Sequence, residues 1–153
     1  MARGGTRALV RGGLSLRLMA VPVLGVDVMA SASAFGAVGQ GITDEYLRHH
    51  CGVDDLDDVT CLTISVNRDE QPVETLGTSC PYLRELKLND SFVQSIRDLG
   101  TGLQNLRVLW LSRAGVTELW GISAMPLLEE LYVSFNEICD LSSLNYHEGL
   151  QVW

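Results

Sequence analysis

A chain of 153 residues with 46% apolar and 20% charged residues has the composition of one modest globular domain. Its net charge of −8 argues against a nucleic-acid-binding surface, which needs basic stripes. The charge is uneven: residues 1–41 hold four arginines and one acid, for +3, whereas residues 42–153 hold seven basic and eighteen acidic residues, for −11. We therefore expect the two segments to have different roles.

Residues 1–41 are rich in Gly, Ala, Ser and Arg. Their apolar part, from Leu14 to Val28, is interrupted by Pro22 and Asp27 and is too short for a membrane span of about 20 residues. Three interpretations remain open: a secretory signal, a mitochondrial presequence, and a disordered or atypical leader that does not pack on the domain. We favour the leader, because the proline and the aspartate interrupt the apolar core that a signal needs.

Residues 42–58 have the features of an N-terminal capping helix. Thr43 is a plausible N-cap, acids follow in the first turn, and Gly52 is a natural stop. The apolar residues expected to cover the end of the following repeats are Ile42, Tyr46, Leu47 and Leu56.

No pattern of metal ligands or catalytic groups emerges, so we predict no cofactor, no enzymatic activity and no small-molecule substrate. The consecutive residues His49, His50 and Cys51 point in different directions on a helix, and no second ligand cluster follows at metal-site spacing. The aspartates of residues 54–58 lack the spacing and closing Glu of a calcium loop, which favours a solvated acidic edge. The chain has no GxSxG, HExxH or P-loop motif.

The cysteines indicate the redox compartment. They form no CxxC pair and no dense framework, which favours reduced structural thiols in an intracellular protein. The four are Cys51, Cys61, Cys80 and Cys139.

From residue 59 onward the chain repeats. The units start at Val59, Leu83, Leu106, Leu128 and Leu150, at spacings of 24, 23, 22 and 22. Apolar residues recur three and five steps after the starts, and a small or polar residue recurs at the eighth step, as Asn67, Ser91, Ala114 and Asn136. This is the LxxLxLxxNxL pattern of leucine-rich repeats.

The pattern predicts an α/β leucine-rich repeat solenoid of about four repeats, the last one incomplete, over residues 59–153. Each L-x-L is a short strand with its leucines inward, so stacked turns form a parallel sheet on the concave face. About a dozen residues join successive strands, which predicts 3-10 or irregular segments on the convex face. The first turn contains a longer polar loop, after which Val73, Leu76 and Cys80 take the apolar places.

Two further expectations concern the turns and the C-terminal end. An Asn at the eighth step can bond the turning backbone and Ser91 can do so in part, whereas Ala114 cannot, so its turn must be satisfied differently. At the end of the chain, Trp153 falls three steps after Leu150, on an inward-facing step. A solenoid ending there exposes its apolar stack, so we expect a longer protein or a partner that covers this end.

The outward residues of the strands form columns across the concave sheet. Glu85 and Glu130 lie in one column, Lys87, Trp110 and Tyr132 in the next, and Arg113 at the edge. Exposed aromatic residues beside charges are typical of a protein-binding hot spot, so we predict that these six residues bind a partner. The alternative is that Trp110 and Tyr132 only cover the sheet as cross-strand neighbours.

Two other aromatic residues are expected to have packing roles. Phe135 is expected to pack over the turn that follows its strand. Trp120 directly follows Leu119 on the outer side and is expected to pack on the convex face.

The repeats resemble the intracellular leucine-rich repeat class with 22-residue units, typified by a phosphatase-1 regulatory subunit and an axonemal dynein light chain. Within residues 42–153, the elements KLN-S, S-RDLGT-L, L-VLWL-R-G and LEELY-S-N-I-DLS-L are similar to those of cilium assembly factors of this class. The resemblance implies a non-catalytic scaffold that helps assemble axonemal dynein arms by linking them to intraflagellar transport, in cytoplasm and cilium. Two alternatives stay open: a regulatory subunit that binds a phosphatase through its concave face, and an organellar or secreted protein addressed by residues 1–41.

Overall fold

A computed structural model describes residues 42–153, and the predictions for residues 1–41 lie outside this part. The described residues form two α-helices and five strands: α1 (Asp44–Cys51), β1 (Cys61–Thr63), α2 (Leu76–Ser79), β2 (Glu85–Lys87), β3 (Val108–Trp110), β4 (Glu130–Tyr132) and β5 (Gln151–Val152). Four 3-10 helices lie between them: η1 (Leu56–Asp58), η2 (Ile96–Leu99), η3 (Ile122–Ala124) and η4 (Ser142–Tyr146). Among residues 42–153, no helix has the length and apolarity needed to cross a membrane.

The five strands form one parallel sheet in the order of the sequence. Leu62 pairs with Leu86, Leu86 with Leu109, and Leu109 with Leu131, so the leucines of β1 to β4 form one inward column. All four are at most 2% exposed. The predicted parallel sheet and its register from β1 to β4 are therefore confirmed, and the sheet is compatible with a leucine-rich repeat fold.

The predicted register of β5 is wrong by one residue. Val152, not Trp153, pairs with Leu131, and Trp153 follows it one step along on the outward face. Because the side-chain period of a strand is 2, a shift of one residue exchanges the inward and outward faces. Val152 packs, partly buried, against the core in the place that leucine fills in the other strands. Trp153 is accordingly 48% exposed.

The segments that join the strands are short, and three of the four after β1 contain 3-10 turns, η2, η3 and η4. The N-cap of η2 forms a capping box: the Ser95 side chain accepts from the η2 backbone, and the Asp98 side chain accepts from the Ser95 N–H. The first connection differs, because the longer loop after β1 ends in the single α-helical turn α2. The predicted apolar residues of this turn, Val73, Leu76 and Cys80, are all buried.

The helix predicted within residues 42–58 is present as α1. Thr43 Oγ1 accepts the backbone N–H of Tyr46 at 3.1 Å, and Gly52 ends the helix with a left-handed backbone at φ 67°. Leu47 is fully buried and joins the core that continues through the leucines of the strands. The other residues predicted to contact the repeats from this side, Ile42, Tyr46 and Leu56, also pack in or against this core.

The polar residues of the eighth step bond the backbone of the turns, as expected. Ser91 and Asn136 each bond a backbone N–H of the preceding turn. Ser91 Oγ accepts the backbone N–H of Val66 at 3.0 Å, in the preceding turn. Asn136 Oδ1 likewise accepts the N–H of Ala114 at 3.0 Å. The turn that Ala114 cannot satisfy is thus satisfied by the asparagine of the following turn.

Candidate functional site

The outward face of the sheet presents two adjacent columns of side chains. The first contains Cys61, Glu85, Val108, Glu130 and Gln151, in the register of the paired strands. The second contains Thr63, Lys87, Trp110 and Tyr132, and Trp153 extends it beyond β5. We call Trp110, Tyr132 and Trp153 the aromatic ladder. The sequence register placed Trp153 inward, so the third member of the ladder was missed.

The rings of Trp110 and Tyr132 stack face to face. Their centroids are 3.7 Å apart and their planes differ by 4°. Parallel strands about 4.8 Å apart hold the Cβ atoms at nearly this spacing, so stacking needs little distortion. Both residues are half-buried, because each ring covers a face of the other. The cross-strand contact that was the alternative to partner binding is therefore present, and both side chains remain partly exposed.

The indole N–H of Trp110 is buried and has no acceptor among the described residues. Among residues 42–153, Trp110 Nε1 is the side-chain polar atom that is buried without a hydrogen-bond partner. A buried donor without an acceptor costs free energy, typically about 1–3 kcal/mol.

Charged groups border the ladder at its β2 end. Lys87 Nζ lies 5.8 Å from the Trp110 ring centroid, within the range of a cation–π contact. The same nitrogen forms an ion pair with Glu85 at 3.2 Å. The chain therefore supplies both the cation and its counter-charge at this end.

A second carboxylate borders Tyr132. The hydroxyl of Tyr132 donates to Glu130 Oε2 at 2.7 Å. Burial first, then this hydrogen bond and the negative charges of Glu130 and Glu85, raise the pKa of Tyr132 to about 12. The phenol is therefore neutral and oriented toward Glu130 across the physiological pH range.

Arg113 lies in the turn after β3 and pairs away from the ladder. Its Nε and Nη2 donate to the two carboxylate oxygens of Asp90 at 2.5 and 3.0 Å. This hydrogen bond and the guanidinium charge lower the pKa of Asp90. Asp90, Arg113 and Phe135 share a left-handed backbone, at φ 56°, 54° and 60°. Five of the six predicted site residues are thus connected by direct contacts: the stacked rings, the cation–π contact, the Lys87–Glu85 ion pair and the Tyr132–Glu130 hydrogen bond. The sixth, Arg113, pairs with Asp90 instead.

Two predictions about other aromatic residues are wrong. Phe135 is 81% exposed and does not pack over its turn, because the left-handed backbone at this position directs the side chain away from the core. Trp120 is 57% exposed instead of packed on the convex face. It lines a shallow groove with Arg97, Asp98 and Glu118.

The groups considered for metal binding are engaged elsewhere or dispersed. His50 Nε2 lies 2.9 Å from the carbonyl oxygen of Thr63, and its ring stacks on Tyr46. Within residues 42–153, no three His, Cys, Asp or Glu side chains are arranged to hold a metal ion. The acids of residues 54–58 are exposed, as expected for a solvated edge. No disulfide joins the four cysteines, which all lie within the described residues 42–153, and burial raises the pKa of Cys80 to about 11.

Comparison with known proteins found relatives that share one name. Over 120 residues the chain is 43% identical to leucine-rich repeat-containing protein 56 of Homo sapiens, which is 75% of this chain and 22% of that protein. The Mus musculus protein of that name is 48% identical over 65% of this chain, and the Trypanosoma brucei homolog is 41% identical over 69%. These matches span 14–22% of the relatives' own lengths. No family model matches the chain.

Proposed function

We propose, since this chain is a leucine-rich repeat protein homologous to leucine-rich repeat-containing protein 56, that it is a non-catalytic scaffold which binds a protein partner on its concave face. The observation that carries this proposal is the aromatic ladder on the outward face of the parallel sheet. Aromatic side chains with charged neighbours are enriched at the energetic centres of protein interfaces.

The proposed architecture is a solenoid closed at its N-terminal end by α1. Each strand pairs with the strand of the next repeat, and the buried leucines form one continuous core, which supports this interpretation. The buried Leu47 of α1 joins the same core and supports its role as a cap.

Display is the proposed mechanism. The backbone hydrogen bonds of the sheet and the stacked rings fix the positions of the concave side chains before a partner arrives. A pre-ordered surface loses little conformational entropy on binding, so more of the contact energy contributes to affinity. Glu85, Lys87 and Glu130 would set the orientation of the partner by charge, with Arg113 contributing at the edge.

We further propose the cytoplasm and the cilium as the site of action, in the assembly of axonemal dynein arms through intraflagellar transport. This proposal rests on the similarity of the repeats to those of cilium assembly factors. A fluorescently tagged full-length chain should concentrate at cilia in ciliated cells. Exclusive mitochondrial or secretory location would contradict it and favour targeting by residues 1–41.

The scaffold proposal is tested by affinity purification from ciliated cells followed by quantitative mass spectrometry. We compare the full-length chain with Trp110→Ala/Tyr132→Ala and with Trp120→Ala, which removes an exposed tryptophan from outside the ladder. Circular dichroism checks that each variant is folded. The double variant should lose the partners that the wild type and the Trp120 variant retain.

The identity of the lost proteins separates the alternatives. Intraflagellar transport and dynein-arm components support the ciliary proposal, whereas a phosphatase catalytic subunit would favour a regulatory subunit. Retention of every partner by a folded double variant would contradict binding through the ladder.

A further inference from the structure

The two faces of Tyr132 are occupied differently. Trp110 lies 3.7 Å away on one side, at ring contact, whereas the Trp153 centroid lies 6.3 Å away on the other side, with the planes 17° apart. A flat group that stacks between two rings needs the rings to be about 7 Å apart, which is twice a carbon–carbon contact distance of about 3.5 Å. The Tyr132 and Trp153 centroids are thus within about 1 Å of the separation that a planar group between the rings requires, and the Trp110 and Tyr132 rings are in contact.

Further separation of the Tyr132 and Trp153 rings does not require unfolding of the sheet. The Trp153 backbone is held against residues 131–133 by two hydrogen bonds, since its N–H donates to Leu131 O at 2.8 Å and its backbone oxygen accepts the N–H of Val133 at 2.9 Å. The side chain is half-exposed, so a small rotation of the indole is enough. We call the space between the Tyr132 and Trp153 rings the planar slot. The backbone of Trp153 is fixed by hydrogen bonds, whereas its exposed indole can rotate.

Glu130, the carboxylate beside this slot, has no cation partner within the described part of the chain. Glu85 has Lys87 at 3.2 Å, but among residues 42–153 no basic nitrogen lies within ion-pair distance of Glu130. The only side-chain bond to Glu130 in this part of the chain is the Tyr132 hydroxyl on Oε2. Its other oxygen is thus an acceptor with unused capacity at the edge of an aromatic slot.

The side chains at the β2 end of the ladder can be compared with those around Tyr132 and Trp153. At the β2 end, an aromatic ring, a carboxylate and a cation occur together as Trp110, Glu85 and Lys87. Two strands further along, the aromatic rings and the carboxylate recur as Tyr132, Trp153 and Glu130, and none of residues 42–153 supplies a cation there. A cation supplied from outside would complete the second set.

On the basis of the proposed function, we infer that the slot between Tyr132 and Trp153 takes an arginine side chain of the protein partner, with Glu130 as its counter-charge. A guanidinium is flat, so it fits a slot that a tetrahedral ammonium does not, and it bonds a carboxylate through two N–H groups. The net charge of −11 on residues 42–153 favours a basic partner segment over an acidic one.

The experiment uses the full-length chain labelled with ¹⁵N and a probe peptide, acetyl-Gly-Ser-Arg-Ser-Gly-amide, at physiological salt. Two matched peptides replace arginine with citrulline, which has the same shape without the charge, or with lysine. The indole N–H signals of Trp110, Trp120 and Trp153 are assigned from single Trp→Phe variants. We expect the arginine peptide to shift the Trp153 indole signal in a saturable way and to leave the Trp120 signal unchanged. The citrulline and lysine peptides should bind with an affinity about fivefold or more lower.

The protein variants test the counter-charge. Glu130→Gln should lower the affinity for the arginine peptide about fivefold, because the ion pair between Glu130 and the guanidinium is lost. Glu137→Gln, the same change at an exposed position outside the columns, should leave the affinity unchanged. Equal binding of arginine and citrulline, an unaffected Glu130→Gln variant or a still Trp153 signal would each overturn the inference.

Other occupants have distinct signatures, each of which overturns the assignment to a partner arginine. A Trp153 signal that moves with protein concentration identifies a second copy of the chain. A signal that moves in the free protein when the arginines of residues 1–41 are changed to Gln identifies an occupant within the chain; these are Arg3, Arg7, Arg11 and Arg17.

The experiments distinguish a failure of the arginine-slot proposal from a failure of the scaffold proposal. If Trp110→Ala/Tyr132→Ala loses a partner that Glu130→Gln still captures at full strength, the scaffold stands and the arginine slot is overturned. If neither variant changes capture, the scaffold proposal itself fails.

Discussion

Asn136 Oδ1 accepts the backbone N–H groups of Ala114 at 3.0 Å and of Val116 at 3.1 Å, which lie in the preceding turn. Asn136 Nδ2 donates to the carbonyls of Leu111 and Val133 at 2.7 and 2.8 Å. One side chain therefore satisfies four backbone groups of two successive turns. This bonding makes neighbouring repeats dependent on each other.

Removal of these bonds should destabilise the domain. We expect Asn136→Ala to lower the free energy of unfolding by about 3 kcal/mol, because partly buried backbone groups lose their partners. Urea denaturation followed by circular dichroism measures the change. Asn145→Ala, at an exposed asparagine of η4, is the control and should cost less than about 0.5 kcal/mol. Equal losses in both variants would contradict the role of Asn136.

A close backbone contact between repeats makes a second prediction. A Cβ on Gly102 would lie 2.7 Å from the carbonyl carbon of Gly77 and 3.0 Å from the backbone nitrogen of Thr78. Gly102→Ala should therefore push the turns apart and cost about 1–3 kcal/mol in the free energy of unfolding. The control, Thr101→Ala, changes the adjacent exposed residue. A Gly102 variant as stable as this control would show that the turns separate freely.

The Tyr132 hydroxyl makes a third prediction, on pH. Its pKa is raised from the ordinary 10.0 to about 12, by burial and by the bond to Glu130. Because the folded-state pKa is the higher one, the contribution to stability is complete below pH about 10 and is lost as the pH rises toward 12.

Alkaline titration of the phenolate absorbance, as the difference between wild type and Tyr132→Phe, should show one group that ionises near pH 12. Glu130→Gln should lower this pKa without restoring the ordinary value, because burial is the larger cause. An ordinary pKa in the folded wild type would contradict the hydrogen-bonded arrangement.

The thiols make a fourth prediction. Cys80 is 1% exposed and its pKa is about 11, whereas Cys139 lies on the surface. Since the thiolate is the reactive form, Cys139 should react with a disulfide reagent at pH 8 in seconds to minutes and Cys80 only on unfolding. Mass spectrometry of the labelled peptides identifies each site, and protein unfolded in urea is the control in which all four cysteines react. Rapid labelling of Cys80 in the folded protein would show that α2 opens locally.

The repeat spacing predicted most of the sheet. Leucines at three and five steps identify which residues face inward, so the pairing of β1 to β4 and the neighbouring positions of Trp110 and Tyr132 followed from the sequence. The bonds of Asn136 to the turn of Ala114 did not, because they join residues of different repeats whose separation depends on how the turns stack.

The sequence by itself determined the parallel strands, the inward leucines and the capped helix α1, because each follows from a local period or a local cap. Only the tertiary structure decided the face on which Trp153 lies, since the strand pairing moved β5 by one residue and so exchanged its faces. It also decided that the ladder is closed between Trp110 and Tyr132 and wider toward Trp153, because ring spacing depends on the packing of three strands together.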